Sequence, residues 1–176
     1  MKSIEIKRWQ SPAGEMLVGS HEGKLCLCDW VAGKRRDIID RRIQQHLNAR
    51  YETGTSEIIE RTIAQLEEYF ARRRQTFDIP LVFTGSEFQN TVWRELQHIP
   101  YGTTISYAEL ARRIGNPQAV RAVASANANN PISIIVPCHR VIGSNRTLTG
   151  YGGGLDTKKR LLELETAIVP AEQSLF

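Results

Sequence analysis

The sequence predicts an α+β protein in two parts: a small unit of three short strands and two helices over residues 1–84, then a mostly helical unit over residues 85–176. Three observations predict it. Short strand-like segments separated by turn residues fill residues 2–30, and apolar residues recur at three- and four-residue spacing from Ile38 to Phe70. Beyond Gly85 a dense series of helix start and stop signals begins. The 176 residues are enough to bury a core without disulfides or metal, and the 41% apolar and 24% charged fractions are those of an ordinary globular chain.

Residues 2–9 (KSIEIKRW) and 15–20 (EMLVGS) read as strands joined through Ser11-Pro12-Ala13-Gly14, where Pro and Gly favour a turn. Residues 24–30 (KLCLCDW) alternate, with Leu25 and Leu27 on one face and Cys26 and Cys28 on the other. Ile38, Ile39, Ile43 and Leu47 form one helical stripe, and Ile59, Ile63, Leu66 and Phe70 a second. Arg72-Arg73-Arg74 read as cations that complement the end of this helix and face water, in preference to a phosphate-binding patch. Residues 76–85 read as a connector.

Ser86 with Gln89 forms a capping-box pattern, opening a helix that buries Phe88, Val92, Trp93 and Leu96. Ile99-Pro100-Tyr101-Gly102 stops it. Ser106 with Glu109 is a second such pattern before YAELARRI, and Gly115 closes that helix. Asn116 and Pro117 then supply an N-cap and a first helical residue, so the segment reads as helix-turn-helix. In the second helix, PQAVRAVASANA, the residues Ala119, Ala122, Ala124, Ser125, Ala126 and Ala128 offer almost no bulk, while Arg121 projects a long cation. Such a helix serves equally for tight internal packing or for close approach to another molecule, as in a groove.

After Asn129-Asn130-Pro131 the run ISIIV reads as a short buried strand leading into Pro137-Cys138-His139-Arg140-Val141. A buried structural cysteine is the ordinary reading of one thiol. Here, beside a histidine and an arginine, Cys138 has an electropositive neighbourhood, which favours the thiolate and hence a nucleophile. Side chains diverge along a strand, so His139 would act on Cys138 through a water. Gly150-Tyr151-Gly152-Gly153-Gly154 permits close backbone approach to a ligand, and Asp156 caps a last helix, TKKRLLELE, ending at Glu165, whose carboxylate could orient a histidine.

The charge and cysteine content bound the partners. The net charge of +4 suits an anionic ligand without establishing one. Three cysteines, an odd number, point to a reducing compartment, and neither a signal-peptide pattern nor a membrane-length apolar run occurs. The expectation is an intracellular chain, cytoplasmic if bacterial, without a membrane partner. His21, Cys26 and Cys28 lack a convincing fourth ligand for a closed zinc site, so no metal is expected.

The collinear block from Ser86 to Glu165 resembles the O6-alkylguanine-DNA alkyltransferases, also called methylated-DNA–protein-cysteine methyltransferases. The resemblance is carried by EFQNTVWRELQHIPYGTTISYAELARRIGNPQAVRAVASANANNP, NPISIIV, PCHRV and GYGGGLDTKKRLLELE. Residues 1–84 match only in general organisation. The resemblance implies an N-terminal α/β domain (1–84) with a three-stranded antiparallel sheet and helices. It implies also a winged-helix-like C-terminal domain (85–176) holding the helix-turn-helix and the active-site cysteine.

It further implies direct reversal of DNA damage: one transfer per molecule of a methyl or larger alkyl group from O6-alkylguanine, and from O4-alkylthymine, to Cys138. In that scheme His139 assists thiolate formation through a water, Glu165 stands behind it, and Asn130 braces the turn after the recognition helix. Arg121 replaces the flipped base while Ala122, Ala124, Ser125 and Ala126 lie in the groove. Tyr107 contacts the guanine and crowds the 3′ phosphate. Val141 accepts the guanine amine through its carbonyl, Tyr151 and Gly152 line the pocket, and Ser133 and Gly153 form walls that vary within the family. The implied partner is double-stranded DNA containing alkylated guanine, bound by a monomer without metal or organic cofactor. Two other classes compete: a binding-only lesion sensor, and a cysteine hydrolase or helix-turn-helix regulator built on the same domain.

Overall fold

The computed structural model describes residues 2–143 and 151–166. The chain divides into two compact units, Met1–Gly85 and Ser86–Phe176. In the first, β1 (Lys2–Ser11), β2 (Gly14–His21) and β3 (Lys24–Trp30) run antiparallel in sequence order. The Ser11 hydroxyl donates to the Gly14 carbonyl and accepts the Ala13 N–H, closing the first turn from a side chain. At the second turn Glu22 and Gly23 both have positive φ, 49° and 80°, the backbone a two-residue hairpin between right-twisted strands requires.

A fourth strand, beyond the three that the sequence leads one to expect, completes the sheet. α1 (Arg36–Leu47) ends at Asn48, whose left-handed φ of 48° turns the chain directly into β4 (Ala49–Thr53). This strand pairs parallel to β1, giving the order β3-β2-β1-β4. Its alternation is faint because Ala49 is its one fully buried residue.

α1 presses Ile39 and Ile43 onto Ile4, Cys26, Leu27 and Ala49. Ile38, expected in that stripe, points outward and is 43% exposed. α2 (Glu57–Phe70), capped by Ser56, buries Ile59, Ile63 and Leu66 and packs on β1, β2 and β3. Leu25, Cys26, Leu27 and Cys28 are all fully buried, so this strand is covered on both faces. The connector also closes the edge of β3: the Leu25 N–H donates to the Pro80 carbonyl and the Val82 N–H to the Leu25 carbonyl. Of the three arginines, Arg74 is tied locally to Glu68 and to the Thr76 carbonyl.

Burial pushes the Cys26 thiol up to about 12 and the Cys28 thiol higher still. Among the described residues no three His, Cys, Asp or Glu side chains gather as metal ligands. No described helix is long and apolar enough to cross a membrane.

The second unit begins with α3 (Glu87–Leu96). Both halves of its capping box form, Ser86 with the Gln89 N–H and the Gln89 side chain with the Ser86 N–H. β5 (Ile105–Ser106) leads into α4 (Tyr107–Arg113), where only half of the expected box forms. Ser106 accepts the Glu109 N–H, but the Glu109 carboxylate turns forward to Arg112 and Arg113. Gly115, at φ 79°, ends this helix.

The next helix, α5 (Val120–Ala128), starts three residues later than the sequence suggests. Asn116 to Ala119 form a turn, closed by the Ala119 N–H on the Asn116 carbonyl, with Pro117 at the position its fixed φ suits. α3, α4 and α5 pack on one another, and the Trp93 indole N–H donates to the Ala126 carbonyl at 2.8 Å, pinning α5 from below. β6 (Val141–Ile142) pairs parallel to β5, and α6 (Leu155–Leu164) completes the unit. Gly154, at φ 94°, is the N-cap of α6, so Asp156 lies within the first turn and is not the cap.

Replacing Ser86 by Ala removes an oxygen that holds an otherwise orphaned helix N–H, and should lower stability by about 1 kcal/mol. Urea unfolding checks this, with Ser106→Ala giving a similar loss because the same bond forms there.

Candidate active site

The site is built on a backbone that no ladder supports. Asn130 follows α5, and its side chain closes the next six residues: Nδ2 donates to the Ile132 and Val136 carbonyls at 3.2 and 2.8 Å, and Oδ1 accepts the Ile132 N–H at 3.0 Å. The run ISIIV, read from sequence as a strand, is therefore a tight buried turn, with Ile134 at φ 71° and the Val136 N–H returning to the Ile132 carbonyl. Prolines at 131 and 137 lack the N–H groups a strand would offer, and the asparagine supplies the bonds instead.

Cys138, 4% exposed, then opens a single 3₁₀ turn, Cys138–Arg140. In that turn His139 points to the end of α6. Its Nε2 lies 2.7 Å from Glu165 Oε2, and both side chains are fully buried. Arg140 donates to the same carboxylate from Nε at 2.8 Å and Nη2 at 3.0 Å, and from Nη1 to the Ile99 carbonyl at 2.7 Å. The Gly102 N–H adds a further bond to Glu165 at 3.2 Å.

Burial alone would raise the Glu165 pKa. The hydrogen bonds and charge of His139 and Arg140 outweigh it, so the carboxyl is held well below its usual range and is ionised. An ionised carboxylate only accepts, so His139 Nε2 carries the proton and Nδ1 presents a lone pair. Burial lowers the His139 pKa and keeps the ring neutral, more than Glu165 raises it. That Nδ1 is buried and has no hydrogen-bond partner among the described residues.

Arg140 is thus committed to Glu165 and is not the cation that faces the thiol. That cation is Lys158 of α6, a residue the sequence reading passes over as part of a surface helix. It is fully buried; Nζ donates to the Val141 carbonyl at 2.6 Å and stands 5.9 Å from the Tyr107 ring centre. Burial pushes its amine down to about 8, while the charge on Cys138 pulls it back up. Ile99 to Gly102, legible only as a helix stop, is the cradle for Glu165: a Cβ on Gly102 would stand 3.0 Å from the Glu165 carbonyl, and Gly102 has φ 77°.

The pairing of β5 with β6 sets Ile105 opposite Val141 and Ser106 opposite Ile142. Lys158 donates to the Val141 carbonyl and stands over the ring of Tyr107, the next residue along the chain from β5. Tyr151, 8% exposed, and Gly152 to Gly154 lead into α6; a Cβ on Gly152 would meet nothing within 4 Å, so open space adjoins it. Ser133 is buried at 3% exposure. Gly150 lies outside the described residues, as does the tail from residue 167. On α5, Arg121, Ala122 and Ser125 are exposed and Ala124 is half-buried. Ala126, expected on the outer face, is turned inward at 2% exposure, because its carbonyl is the one Trp93 holds.

Two family models match the chain. That of the DNA-binding domain of 6-O-methylguanine DNA methyltransferase covers residues 87–167, and that of the ribonuclease-like domain of the same proteins covers residues 7–83. A methylated-DNA–protein-cysteine methyltransferase of Methanosarcina acetivorans is 44% identical over 158 residues, 89% of this chain and 95% of its own. One from Mycolicibacterium paratuberculosis is 59% identical over 114 residues, 65% of this chain and 69% of its own. Mycobacterium tuberculosis OGT, solved in complex with DNA, superposes with a TM-score of 0.79 at 40% identity, covering 98% of this chain and 99% of that one.

Lys158 gives a pH test of the buried charge. Its folded value near 8 lies below the ordinary 10.5, so between these two pH values the unfolded chain binds the extra proton. The wild type should gain up to about 3 kcal/mol of stability over Lys158→Met as pH rises through this range. Urea unfolding of both proteins at pH 7 and pH 10 reads the difference; parallel curves would exclude an amine lowered by burial at this position.

Proposed function

This chain belongs to the 6-O-methylguanine DNA methyltransferase family, and on that footing we propose that Cys138 is its alkyl acceptor, used once per molecule. The protein repairs DNA by direct reversal, moving an alkyl group from O6 of guanine to a cysteine. The observation that carries the assignment of the site is the 2.7 Å bond between His139 and the ionised Glu165, which leaves Nδ1 as a bare acceptor one residue from the thiol.

In this reading the Cys138 proton passes through a water to His139 Nδ1. The imidazolium that forms is held by Glu165, and the thiolate is favoured further by Lys158. The sulfur attacks the alkyl carbon, the carbon–oxygen bond breaks, and its electron pair remains on the guanine oxygen, where the Gly152 N–H would stabilise it. The product is a thioether, a poor leaving group, so the thiolate is not regenerated.

A stacked base is out of reach of a buried sulfur, so the nucleotide is flipped at an expense of roughly a few kcal/mol. Arg121, exposed and without a partner among the described residues, fills the gap in the stack, while Ala122 and Ser125 let α5 approach the groove floor. Tyr107, Tyr151, Ser133 and Gly153 enclose the base. The Val141 carbonyl accepts its exocyclic amine with the lone pair that Lys158 does not use. Duplex DNA with alkylated guanine is the partner, bound by a monomer, and O4-alkylthymine is a second substrate. The DNA complex of the mycobacterial relative supports DNA as the ligand.

Mass analysis of the Cys138 peptide after incubation with methylguanine duplex should show one methyl group per protein molecule. Tight binding without an adduct would favour a lesion sensor, and neither would favour the hydrolase or regulator. Cys138→Ala should abolish transfer while duplex affinity is kept. Arg121→Ala should slow transfer at least tenfold more than it weakens binding; equal losses would count against its gap-filling role. Binding of undamaged duplex should weaken steeply with salt and depend little on sequence.

A further inference from the structure

Along the backbone from Val136 to Val141 three carbonyls accept hydrogen bonds from side chains, those of Val136 and Cys138 in addition to the backbone N–H groups of Cys138 and Val141. Asn130 holds that of Val136, Lys158 that of Val141, and Asn127 that of Cys138 itself, at 3.3 Å from Nδ2. Asn127 belongs to α5, the helix whose other side carries Arg121, Ala122 and Ser125. With Val123 and Ala126 it makes up the inner stripe, and it is 3% exposed.

An apolar side chain would pack this stripe at less desolvation cost, so the amide must be explained by what it bonds. One end holds Cys138. The other end, Oδ1, is buried without a hydrogen-bond partner among the described residues, and the only other side-chain atom there of which this is true is His139 Nδ1. Both are acceptors, and both belong to residues adjoining Cys138. A water that takes the thiol proton has two hydrogens to direct, and these two acceptors match them in number and kind.

We propose that Asn127 is a positioning residue for alkyl transfer: it ties Cys138 to the groove-facing helix and, through Oδ1, orients the water that relays the thiol proton to His139. The inference rests on Cys138 being the acceptor. The relay balances without another reagent: sulfur releases a proton to the water, the water gives one of its own to Nδ1, and the imidazolium faces Glu165. The charged and titratable groups around the relay are Glu165 and Arg140 beside His139, and Lys158 of α6 with Tyr107 of α4 beside Cys138. None is altered by changes at position 127.

The test compares the full-length wild type with Asn127→Leu and Asn127→Asp. It follows alkylation of Cys138 by iodoacetamide, without DNA, as a function of pH, alongside transfer from saturating methylguanine duplex, duplex affinity and thermal melting. In Asn127→Leu the pH at which half of Cys138 reacts should rise by about one unit, and transfer at neutral pH should fall about tenfold or more, with duplex affinity kept. Asn127→Asp keeps the volume but sets a carboxylate beside the thiolate, so its midpoint should rise further; it decides the matter if the leucine variant does not melt cooperatively. An unchanged pH profile in a folded variant overturns the proposal, even if transfer slows, because a purely structural role predicts that pattern. Failure of the wild type to acquire a methyl group from DNA while its iodoacetamide profile is normal would instead overturn the repair reading on which the inference rests.

Discussion

The carboxylate of Glu165 organises the second unit. It lies at the end of α6, fully buried, and accepts hydrogen bonds from His139, twice from Arg140, and from the Gly102 backbone. An isolated carboxylate at that depth would protonate; a bidentate guanidinium and two further donors keep it ionised. Three separate stretches of chain, Ile99 to Gly102, Cys138 to Arg140 and the last turn of α6, are thereby fixed on one atom group. The same bonds determine the chemistry. Because the carboxylate accepts and cannot donate, the imidazole tautomer is fixed, and the free lone pair falls on the ring nitrogen away from Glu165. A stability device and a catalytic setting are here one arrangement, and Gly102 belongs to it because any side chain there would press on the Glu165 carbonyl.

Cys138 lies in a single 3₁₀ turn, between the turn that Asn130 closes and the two-residue strand β6. The carbonyls of Val136 and Cys138 accept the N–H groups of Cys138 and Val141 a few residues on, and that of Val141 belongs to the two-residue β6. All three are also reached by asparagine and lysine side chains from α5, its C-terminal extension and α6. Such a backbone can take a shape no ladder permits, which is how Cys138 and His139 come to share a 3₁₀ turn. It also makes the position of the sulfur depend on α5, the helix whose other side exposes Arg121, Ala122 and Ser125. A short, strongly specified polar network of this kind is sensitive to each of its members, since an amide removed from it leaves a buried carbonyl one donor short.

Much of this was legible in sequence wherever the signal was local. The stripe of α2 and the Ser86 capping box depend on neighbours a few positions apart, and each appears in the structure. The resemblance located Cys138, His139, Glu165 and Asn130, and the structure brings them together. What could not be read depends on long-range partners. β4 carries too few apolar residues to stand out from its helix. The run ISIIV has the composition of a strand, but Asn130 and two prolines fold it back on itself. Ala126 looks like its small neighbours until Trp93, thirty-three positions away, claims its carbonyl. Lys158, in a stretch of charged residues, gives no local sign that its ammonium is inside; the Val141 carbonyl of β6 and the Tyr107 ring of α4, both distant in sequence, receive it.

The three cysteines show why burial is not what makes a thiol reactive. Cys26, Cys28 and Cys138 are all buried, and desolvation disfavours a thiolate at each. At Cys26 and Cys28 no cation opposes it: the nearby charges are carboxylates, Glu5 and Asp29, and burial pushes both thiols far above neutral pH. At Cys138 the nearby charge is the ammonium of Lys158, and the next residue is a neutral histidine with a lone pair to receive the proton. The low dielectric that silences the first two thiols strengthens the attraction at the third, since a fixed cation counts for more where water does not screen it. Cys138 therefore differs from Cys26 and Cys28 in the sign of the charge beside it and in the presence of a proton acceptor, with burial common to all three.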